Sequence, residues 1–250
     1  MNILVTGVTA GFGKAIAELL ILKGHTVIGT GRRQEKLDEL KTQLGDNFIP
    51  LNFDVSDLPA TKTALQTLPN DVLNNLDVLV NNAGLALGLE PADKTDFADW
   101  QQMVNTNILG LIHLTHEILP LMVANNDGYI INLSSTAGNY PYFGGNVYGA
   151  TKAFVTQFSL NLRADLVGKN IRVSNIEPGL CGGTEFSNIR FHGDDAKAAQ
   201  VYDSVQYVTP QDIANMVAWL IEQPKHVNIN RIEVMPTAQT FAGLKVVKDL

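Results

Sequence analysis

The first twenty-four residues restrict most strongly what this chain can fold into. Ile3 to Val5 is an apolar run too short for a helix, Gly7, Gly11 and Gly13 follow it, and Ala15, Ile16, Leu19, Leu20 and Leu22 then recur at helical spacing until Gly24. The pattern predicts a buried strand, a glycine turn and an amphipathic helix. It returns along the chain, with strands expected at 26–30, 48–52, 78–80, 129–133, 172–176 and 231–235 and helices at 34–44, about 58–68, 97–125, 148–168 and 210–222. No linker, repeat or low-complexity segment interrupts the alternation, so residues 1–250 are read as one α/β domain. Its expected core is a single doubly wound parallel sheet with helices on both faces, and a 45% hydrophobic composition is enough to fill it.

The three glycines have a physical reason to stand where they do. Without a Cβ they allow positive φ and let the backbone approach a pyrophosphate, whose charge then faces the N–H groups at the start of a helix. The spacing is G-x-x-x-G-x-G rather than the commoner G-x-G-x-x-G, and a strand before it with a helix after it favours a phosphate cradle over a plain tight turn. The second strand ends in Gly31-Arg32-Arg33. A carboxylate at this place would bind the ribose 2′-OH of NAD; two arginines and no acid fit the 2′-phosphate of NADP, against the plainer reading of a solvated helix start. After the third strand, Asp54 and Val55 could meet adenine, or Asp54 could cap the following helix. The fourth strand runs into Asn81-Asn82-Ala83-Gly84, at the sheet edge where open α/β folds bind ligands, though asparagines also stabilise turns.

The stretch Ser134 to Lys152 carries the chemistry. Tyr148 and Lys152 are four residues apart, hence one turn apart on one helix face, and a fixed cation beside a phenol favours its ionised form. Ser135, at the end of the preceding strand, can reach the same substrate oxygen. Asn107 is a polar amide within an otherwise apolar helix whose apolar residues spread over more than one face, which points to a covering partner. Residues 180–207 lack periodicity, and a long irregular segment in a compact domain reads as a lid. Tyr142 and Phe143 are expected to wall the pocket. Arg190, with His192 behind it, is either the partner of a substrate carboxylate or a solvated lid residue.

A net charge of −7 suggests no basic face for nucleic acid or anionic membrane, and the apolar stretch 108–123 holds His113, His116, Glu117 and Pro120, too polar and short to span a bilayer. No metal ligand set is read around His113 and His116. The lone Cys181 allows no internal disulfide, and with no signal peptide in view a cytoplasmic setting is expected.

Taken together, T6-G7-x-x-x-G11-x-G13, N81-N82-A83-G84, Asn107 followed by Gly110, Ser135, Y148-x-x-x-K152 and Pro178-Gly179 resemble the short-chain dehydrogenase/reductase superfamily over essentially the whole chain. The stretches TGRRQEKL, NNAGLALGLEPA, GGNVYGATKAFV and IEPGL followed by GGTEFSN resemble the bacterial NADP-dependent 3-hydroxy acid dehydrogenases, which act on allo-threonine, serine and related acids. The resemblance implies a Rossmann-like fold, a homotetramer and NADP as cofactor. It makes Tyr148 the general acid and base, Lys152 the group that lowers its pKa and holds the nicotinamide ribose, Ser135 the orienter of the substrate oxygen, and Asn107 the holder of a relay water. It gives Gly7, Thr9, Gly11, Phe12 and Gly13 to the pyrophosphate, Arg32 and Arg33 to the 2′-phosphate, Asp54 and Val55 to adenine, and Asn82, Ala83 and Gly84 to the adjacent ribose. Pro178, Gly179 and Thr184 would face the carboxamide, although Thr184 lies one residue further from Pro178-Gly179 than the common form. A broader carbonyl reductase and a non-catalytic NADP(H) sensor are the competing readings.

Overall fold

The computed structural model describes residues 1–241, so the end of the loosely patterned tail lies outside the described residues. Strand β1 (Asn2–Thr6), helix α1 (Gly11–Leu22), β2 (Thr26–Gly31), α2 (Gln34–Leu44) and β3 (Phe48–Asn52) form the first half. Next come α3 (Leu58–Gln66), the one-turn α4 (Asn70–Leu73), β4 (Leu76–Asn81), α5 (Phe97–Val104), α6 (Leu111–Asn125) and β5 (Gly128–Leu133). The chain closes with α7 (Asn146–Asp165), β6 (Ile171–Pro178), α8 (Phe186–Arg190), α9 (Asp195–Gln200), α10 (Pro210–Glu222) and β7 (Arg231–Val234). All seven strands are parallel, in the order β3-β2-β1-β4-β5-β6-β7. The order reverses between β1 and β4, which opens a crevice at their carboxyl ends.

Alternation along the strands sorts the core into two layers. Ile3, Val5 and Val27 face α1, α2 and α10, where Ile16, Leu20, Leu37 and Val217 cover them. Leu4, Ile28 and Ile130 face the other way, onto Leu65, Leu114, Ile118 and Leu162 of α3, α6 and α7. Helices on both faces of one parallel sheet are the architecture the alternation predicts.

Several local expectations are corrected. Asp57, not Asp54, caps α3, accepting from Ala60 N at 2.9 Å, because Asp54 spends its carboxylate on Ser56 two residues along. The helix expected to reach Leu68 ends at Gln66, and α4 begins straight after Pro69, whose ring cannot continue the preceding ladder. The stretch 97–125 is one continuous helical run interrupted by a π segment, Asn105–Gly110. At 29 residues and a mean hydropathy of 1.3 over its most apolar stretch it is long and apolar enough to cross a membrane by length and composition, unlike the shorter 108–123 reading. Here Met103, Leu114, Ile118 and Met122 bury it instead against the sheet and the neighbouring elements. The strand expected over 172–176 runs from Ile171 through Pro178, with Glu177 fully buried and held by Arg231 through two 2.7 Å bonds.

A chain of buried polar side chains fixes α6 and α7 on the sheet. Asn81 Nδ2 donates to Thr115 Oγ1 at 3.0 Å and to Asn132 Oδ1 at 2.8 Å, and Asn132 Nδ2 donates to Ser159 Oγ at 2.8 Å. All four residues are 3% exposed or less. Replacing Asn132 by alanine strands the Asn81 amide and leaves a small void, for which ~2–3 kcal/mol is expected. A thermal melt of Asn132→Ala should show a midpoint roughly 5–10 °C below the unsubstituted protein.

Candidate active site

The crevice at the switch point is a cavity of about 700 Å³. Its floor is the turn after β1. Gly7 and Gly11 have φ of +74° and +54°, values that L side chains rarely adopt. Gly13 needs glycine for space: a Cβ there would sit 2.2 Å from Gly7 O and 2.6 Å from Asn82 Nδ2. That contact exists because Asn82 Nδ2 donates to Thr6 O and Gly7 O, which clamps the turn to the end of β4. No side chain caps the N-terminus of α1 and no acid stands in its first turn, so its leading N–H groups are left for an anion in the cavity.

Most residues singled out from the sequence line this cavity. At one end are Gly7, Thr9, Gly11 and Phe12, with Arg32, Arg33, Asp54 and Val55 beside them. Asn82, Ala83 and Gly84 line it too, as do Ser135, Tyr142, Tyr148, Lys152, Pro178, Gly179, Thr184 and Arg190. Thr184 packs on Gly11, where an added Cβ would lie 3.1 Å from its side chain, so the longer spacing from Pro178 still delivers it to the glycine turn. Gly13 and Asn107 stand behind the wall. Phe143 does not line the cavity and is 61% exposed; Tyr140, two residues before Tyr142, lines it instead. His192 does not back Arg190, since a φ of +51° turns it outward, where it lies 3.2 Å from Asp99.

Tyr148 is 8% exposed and Lys152 6%. Burial pushes the phenol up to about 12, opposed by the Arg190 guanidinium and by the neighbouring Ser135 hydroxyl. Burial pushes the Lys152 ammonium down to about 8. The cation that acts on the phenol is therefore Arg190, whose Cζ lies 5.1 Å from the Tyr148 ring centroid. Lys152 Nζ lies 5.9 Å from that centroid and donates instead to Leu133 O at 2.9 Å. The shared helix face puts the lysine stem beside the ring, but the β5 carbonyl draws its head past it.

Ser135 Oγ donates to Pro178 O at 3.2 Å and accepts from Ala137 N at 3.1 Å. Asn107 lies on the π segment, 1% exposed. Its Oδ1 accepts from Leu85 N at 2.9 Å, and its Nδ2 donates to Leu85 O and Thr151 Oγ1 at 2.8 and 3.1 Å. Asn107 Oδ1 and Lys152 Nζ each lie 3.2 Å from where a Cβ on Gly84 would be, so all three meet at the sheet edge. Arg190 Nη2 donates to Tyr142 Oη at 2.7 Å, while Arg190 Nε is buried without a partner. Cys181, also on the wall, is held as a neutral thiol by burial, which raises it to about 12.

The glycine turn, the free helix N-terminus and the arginine pair at the end of β2 together fit a phosphorylated dinucleotide laid across the crevice, with its far end beside Tyr148. Sequence reasoning missed Thr115, Asn132 and Ser159, which hold the helices of this site, because their partners are 27 to 51 positions away. It also missed Glu185, which lines the cavity beside Arg33.

The family model for short chain dehydrogenase matches residues 1–194. A probable NADP-dependent dehydrogenase of Haemophilus influenzae is 68% identical over 246 residues, 98% of this chain and 97% of that protein. The NADP-dependent 3-hydroxy acid dehydrogenase YdfG of Escherichia coli (strain K12) is 56% identical over 246 residues, 98% and 99% of the two chains. The closed form of a serine dehydrogenase complexed with NADP+ superposes with a TM-score of 0.98 at 55% identity, over the full length of both chains. On the family match and on relatives aligned over nearly its whole length, the chain belongs to the short-chain dehydrogenase family.

Proposed function

We propose that the protein is an NADP-dependent dehydrogenase of small 3-hydroxy acids such as allo-threonine and serine, running to the 3-oxo acid and back. The observation that carries the substrate class is Arg190: a guanidinium inside the cavity, stacked near Tyr148 and Phe186, with Nε buried and unpartnered. A substrate carboxylate beside it would satisfy that donor and form a charge-assisted bond. The relatives bearing 3-hydroxy acid and serine dehydrogenase names support the same class.

NADP, when bound, supplies or accepts the hydride at the substrate carbon. The residues of this chain do the rest. Tyr148 Oη gives its proton to the carbonyl oxygen in reduction and takes the hydroxyl proton in oxidation. Ser135 Oγ turns from Pro178 O to the same oxygen. Lys152 holds the nicotinamide ribose and passes protons onward past Asn107, whose amide fixes the Leu85 loop at the relay's edge. The 2′-phosphate lies at the arginine pair that follows β2, and Asp54 and Val55 meet the adenine. Residues 180–207, with two short helices where no periodicity was visible, serve as the lid. We further read the molecule as a cytoplasmic homotetramer, with Leu109 and Phe154, 40% and 37% exposed, among the apolar residues an assembly would cover.

Following NADP reduction at 340 nm with allo-threonine and with its carboxylate-free analogue tests this reading. Turnover of the acid alone is expected, and equal rates would make the enzyme a broad carbonyl reductase. Arg190→Ala should raise KM for allo-threonine by roughly 10- to 100-fold, the value of a charged hydrogen bond, and leave kcat less affected. Tyr148→Phe should lower kcat by about 10²- to 10⁴-fold while NADPH still binds, and an unchanged rate would remove Tyr148 from proton transfer.

The low pKa of Lys152 has a consequence for stability. Its folded value of about 8 lies below its ordinary 10.5, so between those pH values the unfolded chain binds more protons and folding gains stability as pH rises. Below pH 8 the whole penalty is present. Lys152→Met should therefore melt higher than the unsubstituted protein at pH 7 while losing activity, and its advantage should shrink between pH 8 and 10.5. A lower melting temperature at pH 7 would show that the bond to Leu133 O outweighs the buried charge.

A further inference from the structure

The two arginines at the end of β2 are placed very differently. Arg32 is 61% exposed, and its one ion pair among the described residues is a long contact, 3.4 Å from Nη1 to Asp54 Oδ2. Arg33 reaches across the cavity mouth to Glu185, the residue just before α8. Nη1 donates to Glu185 Oε1 at 3.1 Å and Nη2 to Oε2 at 3.0 Å, the paired geometry of a guanidinium on a carboxylate. Nη2 also donates to Thr9 Oγ1 at 3.0 Å and to Thr9 O at 3.3 Å. The Arg33 fork is thus aimed at the lid and the glycine turn, and Arg32 alone keeps its donors nearly free.

We infer that the pair divides its work. Arg32 is the residue that reads the 2′-phosphate, and Arg33 is a positioning residue that clasps Glu185 and so holds the root of the lid over the bound dinucleotide. This rests on the NADP reading above and goes beyond it, since it removes one of two adjacent arginines from phosphate recognition and gives Glu185 a role. The clasp spans 152 positions and closes a ring: Arg33 touches Thr9 on the turn, Glu185 follows Thr184, and Thr184 packs on Gly11 of the same turn. A dinucleotide lying on the turn is enclosed by that ring whether or not it carries a 2′-phosphate. Glu185 and Arg33 therefore affect retention of NADPH and NADH alike, whereas Arg32 affects only their ratio.

The test is the dissociation constant of NADPH and of NADH, by quenching of protein fluorescence, for Arg32→Ala, Arg33→Ala, Glu185→Ala and the double variant Arg33→Ala/Glu185→Ala, each checked by thermal melting. Glu185→Ala and Arg33→Ala should each weaken both nucleotides by the same factor, about three- to fivefold, the upper range for an exposed ion pair. The double variant should be no weaker than either single one, and the effect should fade in 1 M salt. Arg32→Ala should weaken NADPH by tenfold or more and leave NADH unchanged. A loss of NADPH preference in Arg33→Ala, or additive effects in the double variant, would overturn the clasp. If the unsubstituted protein binds both nucleotides equally, it is the NADP reading that fails, and the cycle measured with NADH still decides whether Arg33 and Glu185 act together.

Discussion

Two adjacent asparagines at the end of β4 hold the site together. Because successive side chains on a strand point to opposite faces, Asn81 and Asn82 serve different halves of the molecule. Asn81 enters the core and joins Thr115 of α6 and Asn132 of β5, and through Asn132 it reaches Ser159 of α7. Asn82 turns to the crevice and ties Thr6 O and Gly7 O, against which Gly13 packs too closely for any side chain. One residue thus positions the helices that carry Asn107, Tyr148 and Lys152, and the next positions the glycine turn. The distance between Tyr148 and the glycine turn is set by a single strand end.

Burial is the second constraint, and it acts on the reactive pair in opposite senses. Tyr148 is driven up to about 12 and Lys152 down to about 8, so each is pushed towards its neutral form. A dry site disfavours charge in general. Arg190 is the cation that opposes burial at Tyr148, and it is also the group a substrate carboxylate would claim. Acid binding and phenol acidity are therefore coupled through one side chain.

Much of this was legible in the sequence because it is written over short distances. A strand, three glycines and a helix within twenty-four residues, a tyrosine and lysine one turn apart, and an asparagine pair ending a strand all declare themselves locally. What stayed hidden depends on partners far away in the chain. Nothing near Glu177 announces that it is buried, since Arg231, 54 positions on, is what neutralises it. Nothing near Asp54 shows that Asp57 takes the cap, because both are acids before the same helix. The π segment around Asn107 leaves no periodicity a 3.6-residue template would reject, so 97–125 reads as one uniform helix. Lys152 illustrates a further limit: spacing places it beside Tyr148, but a β5 carbonyl 19 positions earlier decides where its ammonium points.

The segment 180–207 is held by a kind of contact that differs from those holding the sheet. Its polar ties to the rest of the molecule include the Arg33–Glu185 pair, Arg190 O accepting from Gly88 N at 2.9 Å, Arg190 on Tyr142, His192 beside Asp99 and Leu180 N donating to Gln239 Oε1, while Thr184 packs on Gly11, Cys181 on the core and Phe186 beside Tyr148. The Arg33–Glu185 pair is near solvent, where an ion pair contributes ~0–1 kcal/mol. The strands beneath bury whole rows of apolar side chains, each about 1.5–3 kcal/mol when fully covered. Polar contacts of this kind open at lower cost than the sheet beneath them. A segment tied in this way can shift its polar contacts while the rigid sheet edge beneath stays folded.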